Sequence, residues 1–262
     1  MGKDGYRKAV LEKLEGVYQS GEDLNIGMNE NGITKTGDGS LAEGQWISQQ
    51  KQPGLYRCHY YPIGGSIKPY KFREIYDIIR DMDQVELRLS PDESLYVINL
   101  TGREAQKVQK VLSDGARTVF ETSVACIGAS ICQVGVRDSQ KLLQSAVKAV
   151  RDADLPDGVL PQIHISGCPS SCGTHQIGAI GFRGGVKMID KKPQPAFVLF
   201  YNGCDRQGSE QMGKEIGVML EEDIPQFLIE LGSTVRDSGM DFAAWVHRMP
   251  EGVERIASSY LR

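Results

Sequence analysis

Hydrophobic positions along the chain switch between helical and strand-like periods, and these switches predict the order of the elements. Residues 6–18 carry apolar side chains at helical spacing, which predicts an N-terminal helix. From about residue 20 to residue 46 the chain is rich in Gly, Asn and Asp and shows no period. That composition is typical of a long surface excursion or a linker.

The pattern between residues 54 and 115 predicts five elements in the order β-α-β-β-α. It predicts strands at 54–63, 84–90 and 94–100 and helices at 68–82 and 102–115. This order is the core of a ferredoxin-like α+β module with an antiparallel sheet, a name that describes a fold and implies no cluster.

A second α+β region is predicted after Gly115. Residues 122–136 are rich in small side chains, and Asp138 is a candidate N-cap for a helix over 138–153. The pattern then predicts strands at 160–166, 176–184 and 196–203, helices near 209–219 and at 222–237, and a short helix with a tail at 241–262. The fold class predicted for the chain is therefore α+β.

The composition narrows the classes of function. The 262 residues are 40% hydrophobic and 24% charged, as in ordinary globular proteins. A formal net charge of −4 argues against generic nucleic-acid binding, which needs a basic face. No apolar run approaches the roughly 20 residues that span a bilayer, and residues 1–16 lack the apolar core of a signal peptide. We therefore expect a cytoplasmic protein without nucleic-acid or membrane partners.

Four of the six cysteines form two closely spaced pairs. Five residues separate Cys126 from Cys132, and three separate Cys168 from Cys172. Both pairs lie in small-residue stretches, which allow the close backbone approach that the sulfurs of an iron–sulfur cluster require. Structural zinc prefers spacings of about two to four residues, so zinc fits the first pair poorly. Buried small thiols are the other alternative.

The remaining cysteines, Cys58 and Cys204, have no partner in spacing. We expect them to be buried or half-buried free thiols. A disulfide framework is not expected, because the chain is neither short nor evidently secreted. The stretch GAIGFRGG does not open a helix after a strand, so it does not indicate a dinucleotide site.

The order of these motifs resembles the siroheme and [4Fe-4S] nitrite/sulfite reductase family. The resemblance rests on the Cys-x5-Cys pair, an intervening helix and strand, and the stretch SGCPSSCGTHQIGAIGF. Upstream, QQKQPGLYRCHYYPIGGSI and VELRLSPDESLYVINL are similar to the family's ferredoxin-like half domain. The resemblance covers about residues 46–235. The family's full enzymes contain two tandem copies of this unit, and the chain resembles the C-terminal copy.

Pattern and resemblance together predict four segments. They are an N-terminal helix and irregular linker (1–45), a ferredoxin-like half domain (46–115), an α+β [4Fe-4S]/siroheme domain (116–240), and a C-terminal helix and tail (241–262).

The resemblance also implies roles for individual residues. Cys126, Cys132, Cys168 and Cys172 would hold the cluster, and Cys172 would bridge to the siroheme iron, with Ser170 and His175 near the cofactors. Nitrite and sulfite are anions and siroheme is a polycarboxylate, so their pocket must be positively charged. The basic candidates are Lys51, Arg57 and Arg88, together with Arg117, Arg183 and Lys187 as candidate catalytic residues.

The chain departs from the family at two places. The first is Asp92-Glu93: at this place N-terminal copies carry an Arg-Gln pair that binds the substrate, and C-terminal copies usually carry Asn-Gln. The second is Ser170, where the family often has Asn. An acidic pair cannot bind an anion. We therefore expect one of two arrangements. A stand-alone chain would build its substrate pocket by homodimerisation or from its own Lys and Arg residues, or a complementary half or subunit would supply the missing residues.

The function implied by the resemblance is multi-electron reduction of nitrite or sulfite. Electrons would come from a ferredoxin-like protein or a flavoprotein. One alternative is a non-catalytic iron–sulfur electron-transfer or cofactor-binding module without substrate turnover. A structural or regulatory protein that has lost its cofactors is a third interpretation, against which the intact cysteine spacing speaks.

Overall fold

The computed structural model describes residues 2–19 and 32–262, which form seven α-helices and nine β-strands. The chain divides into two units, residues 1–34 and 35–262. The first contains helix α1 (Lys3–Gln19), which confirms the predicted N-terminal helix. Of the predicted linker, residues 20–31 lie outside the described residues, and residues 32–46 contain no helix or strand.

The second unit begins with a four-stranded antiparallel sheet in the order β1-β2-β4-β3. Its elements are β1 (Ile47–Gln49), β2 (Tyr56–Tyr60), α2 (Pro69–Ile79), β3 (Glu86–Leu89), β4 (Leu95–Leu100) and α3 (Gly102–Val111). The β-α-β-β-α order is the predicted one, preceded by the short strand β1. Thr101 and Glu104 form a capping box that fixes the start of α3.

A five-stranded mixed sheet follows, in the order β5-β6-β7-β8-β9. Its strands are β5 (Val124–Ala125), β6 (Ile163–Ser166), β7 (Ile180–Ile189), β8 (Lys192–Tyr201) and β9 (Lys214–Leu220). The first three are parallel, and β7, β8 and β9 are antiparallel. Strand β6 is buried along its whole length, as expected for a central parallel strand.

Helices pack against this sheet to form the larger core. They are α4 (Ser139–Asp152), α5 (Ile224–Asp237), α6 (Phe242–Arg248) and α7 (Gly252–Ala257). The face of α4 that the sequence predicts as apolar, including Leu142, Leu143 and Val147, is buried in the core. Trp245 of α6 and Val253 of α7 belong to the same core. A second core lies between the antiparallel sheet and helices α2 and α3.

Two predicted elements are wrong. The helix predicted near 209–219 is replaced by strand β9, which pairs with β8 from Ala196 to Tyr201. Gly213 and Gly217 weaken any helix there, and β8 offers unpaired backbone groups along that edge. The C-terminal segment contains two helices, where the sequence predicts one, and Leu261 forms a bridge to Met219 of β9. The predicted α+β class is confirmed.

Candidate functional site

The two cysteine pairs follow neighbouring parallel strands. Cys126 comes directly after β5, and Cys168 comes two residues after the end of β6. Because β5 and β6 are parallel, their carboxyl ends lie at the same edge of the sheet. The structure therefore brings to one edge the first cysteine loop (residues 126–137) and the second cysteine loop (residues 167–175).

Hydrogen bonds join the two loops directly. The backbone N–H of Cys126 donates to the carbonyl of Ile165 at 3.0 Å. In return, the N–H of Gly167 donates to Cys126 Sγ at 3.1 Å. The N–H groups of Val136 and Arg137 both donate to the carbonyl of Gly167, at 3.0 and 2.8 Å. The residue beside Cys168 is thus bonded to both ends of the first cysteine loop.

The first turn of α4 holds the first cysteine loop. Asp138 caps the helix by accepting a hydrogen bond from Lys141 N–H at 3.0 Å, which confirms the predicted N-cap. Ser139 Oγ donates to the carbonyl of Cys126 at 2.7 Å and lies 3.1 Å from its sulfur. Gln140 Nε2 donates to the carbonyls of Gly64, Ala125 and Cys126, at 3.0, 2.9 and 3.2 Å. Gln140 therefore ties the loop to the half domain.

Ser166 and His175 hold the second cysteine loop. Ser166 Oγ accepts a hydrogen bond from Gly173 N–H at 3.1 Å and lies 2.9 Å from His175 Nδ1. His175 is only 1% exposed and meets the ring of Phe200 edge-on at 4.9 Å. Burial, aided by the charge of Arg183, lowers the pKa of His175 to about 4. His175 is therefore neutral near pH 7.

The four thiols suit an iron–sulfur cluster in their chemistry. All are free, and they range from buried (Cys168) to exposed (Cys172). Thiolates are the ligands that such clusters use, and backbone N–H donation to sulfur, as at Cys126, is part of their surroundings. However, the described residues contain no three His, Cys, Asp or Glu side chains close enough to hold a metal ion. The residue types and the joined loops fit the cluster, and the assignment of the four ligands stays a proposal.

Glycines let the two loops approach the sheet. A Cβ at Gly184 of β7 would lie 2.3 Å from the carbonyl oxygen of Gly167. A Cβ at Gly173 would lie 2.1 Å from the carbonyl oxygen of Ile165. These separations are far below contact distance, so only glycine allows the observed backbone approach.

Among the basic candidates, Arg183 lies beside the second cysteine loop. Its register partner on β6 is Ser166, and its guanidinium lies 5.3 Å from the ring of Phe200. It also forms an ion pair with Glu215 at 3.3 Å. Lys187 lies four residues further along β7, where its Nζ donates to the carbonyl of Arg262.

The structure does not bring the other basic candidates to the cysteine loops. The N–H of Arg117 donates to Glu121, which binds Arg151 in the last turn of α4. Because Ser139 contacts Cys126 from the first turn of that 14-residue helix, Arg117 lies at its far end, roughly 20 Å away. Exposed residues of the antiparallel sheet region make up the rest: Lys51 in the β1–β2 turn, Arg57 bonded to Ser48, and Arg88 paired with Glu86.

Asp92 of the acidic pair bonds within its own loop, whereas Glu93 lies against Gly65, outside that loop. Ser94 Oγ donates to Asp92, and the same hydroxyl lies 2.6 Å from Nε2 of His59. Burial opposes ionisation of Asp92, but hydrogen bonds from Ser94 and Ser90 lower its pKa below the usual value. Glu93 has a positive φ of 61°, and its carboxylate lies against Gly65.

A cavity of about 870 Å³ separates the half domain from the first cysteine loop. Gly64, Glu93 and Ser94 line one side, and Ile127 and Ile131 line the other. Of the described residues around it, Lys68 alone is basic. This cavity therefore does not supply the positive charge that a polycarboxylate needs.

Sequence reasoning missed the residues that hold the loops in place, namely Arg137, Ser139, Gln140 and Ser166. Local signals for them exist. The helix over 138–153 starts only six residues after Cys132, and Ser166 directly precedes Gly167-Cys168.

The two single cysteines behave as predicted, since Cys58 is buried and Cys204 half-buried. Burial raises the pKa of the Cys58 thiol to about 12.

Sequence comparison finds similarity to the sulfite reductase (NADPH) hemoprotein beta-component of several bacteria. The Bacillus licheniformis protein is 22% identical over 152 residues, which are 53% of this chain and 26% of that protein. The Lysinibacillus sphaericus protein is 25% identical over 164 residues, 57% of this chain and 27% of that protein. The chain resembles the nitrite/sulfite reductase family. These relatives confirm the predicted resemblance, and the chain spans about a quarter of their length.

The structure of Mycobacterium tuberculosis NirA protein has a similar fold. Its TM-score with this chain is 0.64 at 18% sequence identity, and the match covers 84% of this chain and 41% of NirA. No protein-family model matches the chain. None of the helices in residues 2–19 and 32–262 has both the length and the apolar character needed to cross a membrane.

Proposed function

We propose that this chain carries the cofactors of a siroheme- and [4Fe-4S]-dependent oxidoreductase that reduces nitrite or sulfite in the cytoplasm. The hydrogen bond from Gly167 N–H to Cys126 Sγ carries the proposal, because it joins the two cysteine pairs. The similarity to sulfite reductase hemoprotein components supports it.

Four thiolates would hold the cluster: Cys126, Cys132, Cys168 and Cys172. Cys172 is exposed, so it is accessible to a second cofactor and would be the residue that contacts siroheme. When bound, the coupled cofactors would supply electrons to the substrate. Near them, buried neutral His175 would keep the second cysteine loop in place through Ser166, and exposed Ser170 would offer a hydroxyl.

Binding of the substrate anion would need more basic side chains than those that lie beside the two cysteine loops of this chain. Arg183 is the candidate beside the second cysteine loop, with Lys187 further along β7. Lys51, Arg88 and Arg117 lie away from the loops, so their predicted roles would require contact with a partner. We propose a complementary half or a second copy of the chain as that partner, and a ferredoxin-like protein or flavoprotein as the electron donor.

Anaerobic reconstitution with iron, sulfide and siroheme tests the proposal. We expect iron and acid-labile sulfide in a ratio of about 5:4, because siroheme adds one iron to the four of the cluster, together with the Soret and red absorption bands of siroheme. Cys172→Ser should abolish the siroheme bands, while Cys204→Ser, outside both loops, should leave the spectrum unchanged. An unchanged spectrum in Cys172→Ser would contradict the ligand assignment.

The second candidate function is an iron–sulfur electron-transfer module without substrate turnover. The acidic pair favours it, since Glu93 lines the cavity beside the first cysteine loop, the pKa of Asp92 is lowered, and a carboxylate repels an anion. A reconstituted protein that takes up the cluster but no siroheme would support this candidate over the reductase.

A further inference from the structure

The sulfur of Cys126 has two hydrogen-bonding neighbours in the protein. Gly167 N–H donates to it at 3.1 Å, and Ser139 Oγ lies at 3.1 Å. Ser139 is fully buried at the start of α4, so water does not compete for its hydroxyl. Within the described chain, no hydrogen bond reaches the sulfurs of Cys132, Cys168 or Cys172.

The Ser139 hydroxyl has one proton and two acceptors within reach. In the free thiol it donates to the carbonyl of Cys126 at 2.7 Å, while the S–H can donate to Ser139 Oγ. A metal-bound thiolate has no proton and only accepts. The hydroxyl can then turn to the sulfur, because Gln140 Nε2, 3.2 Å from the Cys126 carbonyl, keeps that oxygen bonded.

We propose that Ser139 raises the reduction potential of the cluster by donating a hydrogen bond to the Cys126 thiolate. This inference rests on the proposed function. One electron enters on reduction and no proton is transferred, so Ser139 keeps its hydrogen and the added negative charge is partly placed on the ligand sulfurs. A hydrogen bond to a ligand sulfur stabilises that more negative state.

The test is a dithionite titration of the full chain, reconstituted with iron and sulfide but without siroheme and followed by electron paramagnetic resonance. We expect Ser139→Ala to shift the midpoint potential to a more negative value and Ser139→Thr to restore it. Ser145→Ala is the matched control, because Ser145 lies on the same helix and its hydroxyl donates only to the Lys141 carbonyl. Its potential should equal that of the wild type.

Iron and sulfide contents are measured first, to show which variants contain the cluster before their potentials are compared. A negative shift in Ser139→Ala with recovery in Ser139→Thr supports the inference, whereas cluster loss in the Ala variant assigns the hydroxyl to holding the cluster and overturns it. A wild-type potential in Ser139→Ala, or equal shifts or equal cluster loss in both variants, overturns it. A wild-type chain that takes up no cluster overturns the proposed function and the inference together.

Discussion

His175 shows how its surroundings decide the chemistry of a single residue. Its ring packs edge-on against Phe200, and the Arg183 guanidinium lies over that same ring. Both burial and this positive charge disfavour protonation, so the imidazole stays neutral and bonds to Ser166. The sequence placed His175 in the right loop, whereas its protonation state depends on Arg183 and Phe200, which come from other strands.

The depressed pKa of His175 predicts lower stability in mild acid. The unfolded chain, with a histidine pKa near 6.5, binds a proton as pH falls below that value, whereas the folded chain resists until about 4. Stability is thus complete above about pH 6.5 and falls toward pH 4. From about pH 7 to about pH 5, the wild type should lose roughly 2 kcal/mol more than His175→Gln.

Urea unfolding of both proteins at the two pH values, without cofactors, measures this difference. His59 and His164 also have lowered pKa values, but they are present in both proteins and cancel in the comparison. Equal losses in the two proteins would show that His175 titrates normally in the folded state.

Strand β7 shows how one element positions the site. Its first residues pair with β6, and Gly184 passes directly beside the Gly167 carbonyl that also accepts hydrogen bonds from the first cysteine loop. The strand thus packs against the point where the two loops meet. The alternation of residues in the sequence predicts strand β7. The requirement for glycine at 184 arises from the carbonyl of Gly167, which lies 17 residues earlier in the chain.

Two adjacent glycines of β7 should respond differently to the same substitution. Gly184→Ala should destabilise the fold by about 1–3 kcal/mol, because the new Cβ meets the Gly167 carbonyl at 2.3 Å. Gly185→Ala should be nearly neutral, because its Cβ would meet only the Ala196 carbonyl at 3.9 Å. Thermal or urea unfolding checks both. Similar stabilities for the two variants would mean that the loop is free to move away from β7.

The second unit contains two hydrophobic cores, and a polar contact at Gln140 connects the parts of the chain that surround them. One core lies under the antiparallel sheet and the other surrounds the mixed sheet. Gln140, on α4 of the mixed-sheet part, donates to the carbonyl of Gly64 in the half domain and to that of Cys126 in the first cysteine loop. The contact therefore couples the position of the loop to that of the half domain.

Gln140→Glu should weaken that connection. The carboxylate has no N–H to offer and would face the carbonyls of Gly64 and Ala125, which costs about 1–3 kcal/mol. Amide hydrogen exchange should accelerate in residues 63–66 and 125–132. Gln144→Glu, an exposed position one turn later that lines the same cavity, is the control and should leave exchange unchanged. Identical exchange in both variants would contradict the role of Gln140.

Four features can be recognised from local pattern: the β-α-β-β-α order, the Asp138 cap, the apolar face of α4 and the spacing of the cysteine pairs. These follow from near neighbours, since periodicity and capping act within a few residues. Other features depend on long-range contacts: residues 214–220 form a strand, and Gly167 bonds Cys126. Ser139 and Gln140 hold the loop, while Arg117 lies at the far end of α4. Such contacts join residues distant in sequence, so they depend on which strands become neighbours, and no local period records that.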